Sequence, residues 1–218
     1  MKSLLIKGAA SHGAVVAEAA LFRWKVAGFV DKANINPVTA AFAPLIGHLE
    51  MLPELLTAHK AQDLFVAIGD NFQRSEVVRQ ARAIAPHVRF PAIVHPSATV
   101  CQGAEIGEGA IVCAGAVIGT GAKVGAFAIV NTRASLDHHA VLGDYASLAP
   151  AAAAGGNAQI GEGTAIGMGT MIHHGVHVGP WAVVGSCSLV IREIEGGVVA
   201  FGQPAKVVRF RQPSDRYL

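Results

Sequence analysis

From Val94 onward an aliphatic side chain returns at every sixth position. The series runs Val94, Val100, Ile106, Val112, Ile118, Val124, Val130, Leu136, Leu142, Leu148, lapses once at Ala154, and resumes with Ile160, Ile166, Ile172, Val178, Val184 and Val190. Four places after the aliphatic comes a small residue, as at Ala98, Ala110, Ala122, Ala134 and Ala146. Glycine is frequent directly behind the aliphatic, as at Gly107, Gly119, Gly125, Gly143, Gly161 and Gly167. Sixteen consecutive hexapeptides, residues 94 to 189, keep this frame without an insertion. A hexapeptide period is the signature of a parallel β-helix, in which each short strand stacks on its equivalents in neighbouring coils. With three hexapeptides to a triangular coil, residues 18 apart in this chain stack at the strand spacing of about 4.8 Å. The aliphatic then points inward and the small residue leaves room at a tight corner.

Composition agrees with thin, regular layers. Hydrophobic residues make up 52% of the chain but aromatics only 6%, and glycines number 25, so the core is built from Val, Ile, Ala and Gly. A net charge of +2 and the lack of a Lys/Arg stripe argue against nucleic acid as a partner. Lys7, His12 and Glu18 interrupt the apolar start of the chain, and no run reaches the roughly 18 apolar residues of a membrane span. Cys101, Cys113 and Cys187 are never a multiple of one coil apart, so they form no disulfide framework and read as small fillers in a cytoplasmic protein.

The first 90 residues follow another rule. "SLLIKGAASHG" reads as a buried strand entering a glycine-rich turn, and "AVVAEAALFRW" as the helix behind it. "VAGFVD", the helix candidate "PELLTAHKAQ", the strand "DLFVAIGD" and the amphipathic "NFQRSEVVRQARAIA" follow. This alternation predicts a small parallel α/β unit of Rossmann-like type. Gly8 and Gly13 bracket the first turn and Asp31 ends the second strand, as in a dinucleotide-binding fingerprint, but Ala10 stands where its second glycine belongs. Such a turn still offers backbone N–H groups to an anion. The expected organisation is an α/β unit over 1–92, an all-β left-handed β-helix over 93–190 and a cap and tail over 191–218.

The segments "GAASHG", "FVD", "AIGDNFQR", "IVHPSA", "NTRASLDHHAVLG", "AGGNAQIG" and "GVVAFGQPAKVVR" together span nearly the whole chain. They resemble those of bacterial nucleotide-sugar acetyltransferases of the left-handed β-helix superfamily. The likeness is to enzymes acting on UDP-linked bacillosamine precursors or GDP-perosamine, and to sialic acid O-acetyltransferases. The resemblance implies acetyl transfer from acetyl-CoA to an amino group on a nucleotide-linked deoxysugar, in a homotrimer. It implies that Ala10, Ser11 and His12 lie along the diphosphate, Asp31 and Lys32 near the nucleoside, and Gly69 close to the sugar. His138 corresponds to the general base and Asn131 to an acceptor-site residue, while Ser147, Gly156, Met168 and Ser186 correspond to acetyl-CoA contacts. Two positions depart from the pattern: Ser11 replaces a glycine, and His139 stands where an acidic residue normally follows the base.

Amide formation needs a neutral amine, so a proton must leave its nitrogen, and an imidazole of ordinary pKa near 6.5 suits that task. Asp137 is the nearest acid in sequence. Neighbouring residues on a strand face opposite ways, so its reach to His138 depends on the corner. The coil repeat places Gly156 against His138 and Asn157 against His139. His173, His174 and His177 raise the question of a metal. His138 and His174 lie two coils apart, about 9.6 Å, too far to share a zinc ion with bonds near 2.0–2.1 Å; no metal is expected. An O-acetyltransferase and a non-catalytic nucleotide-sugar-binding scaffold are the alternative readings.

Overall fold

The computed structural model describes residues 1–32 and 34–217. The N-terminal unit is a parallel sheet of β1 (Lys2–Lys7), β2 (Trp24–Val30), β3 (Leu45–Gly47) and β4 (Ala61–Val66), in the order β3-β2-β1-β4. Helices α1 (Ser11–Ala20), α2 (Pro37–Ala40), α3 (Leu52–Ala58) and α4 (Asn71–Ile84) make the connections. Leu4, Leu5, Ile6 and Phe29 are fully buried, as expected of central strands covered on both faces. Two elements, α2 and β3, escape the sequence pattern because they are only a turn and three residues long. The glycine-rich turn is also shorter than the sequence suggests: helix α1 begins at Ser11, so His12 and Gly13 sit in its first turn. Gly13 is glycine because a Cβ there would lie 2.3 Å from the Gly8 carbonyl oxygen.

From Ile93–Val94 to Leu189–Val190 a two-residue strand recurs every six residues, and strands three repeats apart pair in parallel. Lys123 pairs with Glu105 and Val141, and Ile129 with Ile111 and Ser147, each a shift of 18 residues. The result is a left-handed parallel β-helix with three faces. Face one carries strands such as Ile111–Val112, Ile129–Val130, Ser147–Leu148 and Ala165–Ile166; face two carries Ser135–Leu136 and Ala153–Ala154; face three carries Lys123–Val124 and Val141–Leu142. Both the aliphatic and the small slot point inward: Val112, Ile118, Leu136, Leu142 and Leu148 are wholly buried, and so are Ala110, Ala116, Ala122, Ala128 and Ala134. Where Thr164 and Thr170 replace the alanine, their hydroxyls donate to the carbonyls of Gly179 and Gly185, 2.6 and 2.8 Å away. The apolar prism therefore holds no unsatisfied hydroxyl at either position.

The prism and the α/β unit are joined by polar contacts as well as by Ile93, Ile111 and Ile129, which pack beneath α1 and β1. Arg74, on the first turn of α4, is 1% exposed. Its guanidinium donates to the carbonyls of Phe127 and Tyr145 on adjacent coils, to those of Ile68 and Gly69, and to the Asn71 side-chain oxygen, all within 3.0 Å. Asn71 in turn donates to Ser147 Oγ and to the Gly163 and Thr164 carbonyls. A hairpin, Val198–Gly202 with Ala205–Phe210, extends face one and leads into the tail. Cys113 is buried, but Cys187 occupies an exposed corner rather than filling space. No described helix is long and apolar enough to cross a membrane.

Where face three carries a glycine behind the aliphatic, the neighbouring coil requires it. A Cβ on Gly143 would lie 2.7 Å from the Glu162 amide nitrogen, and backbone cannot yield as a side chain can. Gly175, in contrast, has φ 69° with nothing within 4 Å of a Cβ, a setting that suits asparagine. Gly143→Ala should cost about 2 kcal/mol or more in urea unfolding, and Gly175→Asn less than about 1 kcal/mol.

Candidate active site

Two separate corners of the prism carry the residues that the sequence singles out. The first lies where face one turns toward face two and is roofed by the α/β unit. A cavity of about 330 Å³ there is lined by His12 and Gly69 from above and by Asn131, Ser147, Met168 and Ser186 from the coils. Outward positions of face one, Ile129, Ala165 and Val183, form its floor. Tyr217 of the tail closes one side, its hydroxyl accepting from the Asn71 N–H at 2.9 Å.

His12 enters this cavity with an uncommon electrostatic character. Its Nε2 is buried and meets no hydrogen-bond partner among the described residues. Burial, reinforced by the positive charge of Arg74, pushes the imidazole down to about 4. Arg74 is itself lowered by burial to about 10 and so stays charged at neutral pH. The cavity thus presents a neutral imidazole backed by a fixed cation. It favours a neutral or anionic occupant over a second cation.

The nucleoside candidates lie elsewhere on the α/β unit. Asp31 and Lys32 line a more open depression of about 420 Å³ with Leu45, Gly47, His48 and Glu50. Asp31 accepts from the Ala9 N–H at 2.8 Å and pairs with Lys7 at 3.2 Å. Burial alone would raise its carboxyl, but these contacts and the Lys32 N–H outweigh it and hold the group below its ordinary value. Ala10 is the exposed residue that caps α1. Ser11 opens onto the outer side of α1, beside Ala14, Glu18 and Asn36.

The second corner, between faces two and three, holds Asp137, His138 and His139, all exposed in the single chain. Asp137 Oδ1 accepts from the backbone N–H of His138 at 2.7 Å, so this carboxylate shapes the corner. His139 has φ 56°, the left-handed conformation. Adjacent side chains therefore do not diverge as on a strand, and the two Nδ1 atoms lie 3.3 Å apart. Gly156 sits one coil on, directly under the His138 ring: a Cβ there would be 2.3 Å from Nε2. The gap lets His174, two coils away, lean to a ring separation of 6.1 Å, closer than the backbone spacing suggests. Among the described residues no three His, Cys, Asp or Glu groups have metal-binding geometry.

One chain thus brings together His12, Gly69, Asn131, Ser147, Met168 and Ser186, but leaves His138, His139 and Gly156 at the next corner. Asn71, Arg74 and Tyr217 support the cavity and are absent from the sequence reading. Arg74 and Asn71 fall in the quoted segment "AIGDNFQR", but nothing local marks them as buried.

Comparison with known proteins follows the same division. Residues 3–81 match the family described as the PglD N-terminal domain, and residues 157–192 the bacterial transferase hexapeptide repeats. A histidine-to-alanine mutant of GDP-perosamine N-acetyltransferase from Caulobacter crescentus, solved with CoA and GDP-perosamine, is 33% identical. The match covers 95% of this chain and 97% of that one, with a TM-score of 0.88. The acetyltransferase domain of PglB from Neisseria gonorrhoeae, in complex with acetyl coenzyme A, is 33% identical over 95% and 99% of the chains, with a TM-score of 0.86. WeeI from Acinetobacter baumannii, at 22% identity and a TM-score of 0.81, shares the fold. A search of curated proteins gives no match.

Since unfolded His12 titrates near 6.5 and the folded residue near 4, the unfolded chain binds the extra proton between those values. Stability from this group is complete above pH 6.5 and falls as pH drops toward 4, by up to ~3 kcal/mol. His12→Gln should weaken that acid loss, read by urea unfolding at pH 7 and pH 4.5. An unchanged difference between the two pH values would mean that His12 is not held neutral.

Proposed function

Because this chain belongs to the hexapeptide-repeat, acetyl-CoA-dependent nucleotide-sugar N-acetyltransferases, we propose that it acetylates the 4-amino group of a nucleotide-linked deoxysugar, with His138 as general base. The observation that carries this reading is the roofed cavity. It joins His12 and Gly69 of the α/β unit to Asn131, Ser147, Met168 and Ser186 of the coils, so a sugar nucleotide held above and an acyl donor laid along the coils would meet there. In the proposed reaction the amine nitrogen bonds to the thioester carbonyl carbon, the C–S bond breaks, and the amine proton passes to His138. Direct attack of this kind needs neither a protein nucleophile nor a metal. The Arg74 charge behind His12 favours the amine in its neutral, attacking form over the ammonium.

His138 does not line the cavity of its own chain, so the reading requires a second copy to supply it. The outer faces support a homotrimer. Face one is covered by the α/β unit. Face three presents Glu105, Lys123, Val141, Gln159 and His177, with a 3.3 Å ion pair between Lys123 and Glu105. Face two presents Thr99, Val117, Ser135, Ala153, Met171 and Leu189, without a charge, and Met171 is 55% exposed. An uncharged face with exposed Val, Met and Leu, between a covered face and a charged one, fits burial against another copy. Face two also lies between the histidine corner and the cavity corner, so packing along it can bring one copy's His138 to its neighbour's cavity.

The test is thiol release from acetyl-CoA with UDP-, GDP- and dTDP-linked 4-amino-deoxysugars, run beside light scattering. A mass of three chains and turnover with one amino sugar are expected, with His138→Ala slower by about 10²–10⁴-fold. Turnover only with a hydroxyl acceptor would replace the amine reading. Tight sugar-nucleotide binding without thiol release would point to a scaffold.

A further inference from the structure

We propose that His139 is the positioning residue of the transfer reaction: its Nδ1 accepts a hydrogen bond from His138 Nδ1–H and so leaves His138 Nε2 bare to take the proton. This rests on the reading of His138 as base and goes beyond it by naming what orients that base.

Two imidazole nitrogens at 3.3 Å can share only one hydrogen. If His138 is to accept a proton at Nε2, its own hydrogen must reside on Nδ1, and His139 must then be the acceptor, with its hydrogen on Nε2. The surroundings leave this role to His139. The Asp137 carboxylate engages the backbone N–H of His138, and no carboxylate hydrogen-bonds the His138 ring among the described residues. The rings stand nearly perpendicular, at 79°. Each is seated on a glycine of a neighbouring coil: Gly156 against His138, and Gly121 against His139, where a Cβ would lie 3.1 Å from Cδ2. Gly156 is the more telling of the two. Its φ is ordinary, so the backbone does not demand glycine there; the His138 ring does. The His139 conformation is fixed by its N–H, which donates to the Thr120 carbonyl at 3.0 Å.

The proton balance is complete. When the N–C bond forms and the C–S bond breaks, the amine proton moves to His138 Nε2. The resulting imidazolium keeps its Nδ1–H on His139, and that bond strengthens because its donor is now charged. The imidazolium then returns its proton to the departing thiolate or to water. His139 can serve only while neutral, since a second hydrogen on its Nδ1 removes the acceptor. The other titratable groups facing the pair are Asp137, from the same corner, and His174, two coils on. Loss of activity in acid should therefore be steeper than one protonation allows.

The left-handed corner slot accepts many side chains, since Phe127, Arg133, Tyr145, Ala151, Asn157 and Trp181 occupy it in other coils. Variants at 139 should fold with an unchanged melting temperature. In the full-length protein, His139→Phe should lower kcat about 10–100-fold with KM for both substrates nearly unchanged. His139→Asn, whose side-chain oxygen accepts the same hydrogen, should restore most of it and reduce the acid limb to a one-proton slope. His139→Glu should also restore kcat and move the acid limb to higher pH, because a carboxylate favours the imidazolium. Long-range ¹H–¹⁵N spectra read the tautomers without substrate. His138 should carry its hydrogen on Nδ1 in the wild type and lose that preference in His139→Phe. A wild-type His138 with its hydrogen on Nε2, or a His139→Phe enzyme with unaltered kcat and pH slope, would overturn the proposal. A wild type inactive toward every acceptor, with the expected tautomers, would instead count against the transfer reading alone.

Discussion

A main-chain ladder that repeats after 18 residues governs the rest of this structure. Each strand is only two residues long, as at Lys123–Val124 and Val141–Leu142, so no strand has stability of its own. Order comes from stacking. Gly125 N–H donates to the Leu142 carbonyl, Gly143 to Ile160, Gly161 to Val178, and the aliphatic and alanine slots fill the interior at each level. On face three, where Gly107, Gly125, Gly143, Gly161 and Gly179 follow the aliphatic, that stacking distance leaves no room for a Cβ. Once the ladder is set, every corner residue has a fixed neighbour above and below. This is how Gly156 comes to lie under His138, and Gly121 against His139.

The second constraint is the buried guanidinium of Arg74. It bonds the Phe127 and Tyr145 carbonyls on successive coils while holding the Ile68 and Gly69 carbonyls, so the loop before α4 is anchored to the prism. The same cation adds to the burial that lowers the neighbouring His12 imidazole. One residue thereby anchors the roof over the cavity and contributes a positive charge to it. Asn71 and Tyr217 complete that roof from α4 and the tail.

Fold and site were legible to different depths. The hexapeptide frame showed because a periodic backbone forces a periodic sequence, and its strands fall where the aliphatics place them. The α/β alternation was readable, but α2 and β3 were too short to leave a pattern, and the turn after β1 gave way to a helix starting at Ser11. The link between His138 and His139 was obscured because strand alternation does not hold at a left-handed corner. Arg74 and Tyr217 could not be found from local pattern at all. A basic residue on an amphipathic helix reads as solvated, and only contacts more than 50 residues away in sequence make Arg74 a buried tie.

The central claim is that cavity and base come from different copies of the chain. Ala149 lines the cavity, so co-expression of His138→Ala with the cavity-filling Ala149→Trp tests it most directly once each variant is shown to be inactive alone. Random assortment into shared sites predicts recovery of about one quarter of the wild-type activity. No recovery in mixed assemblies of normal mass would contradict the account and place base and cavity within one chain.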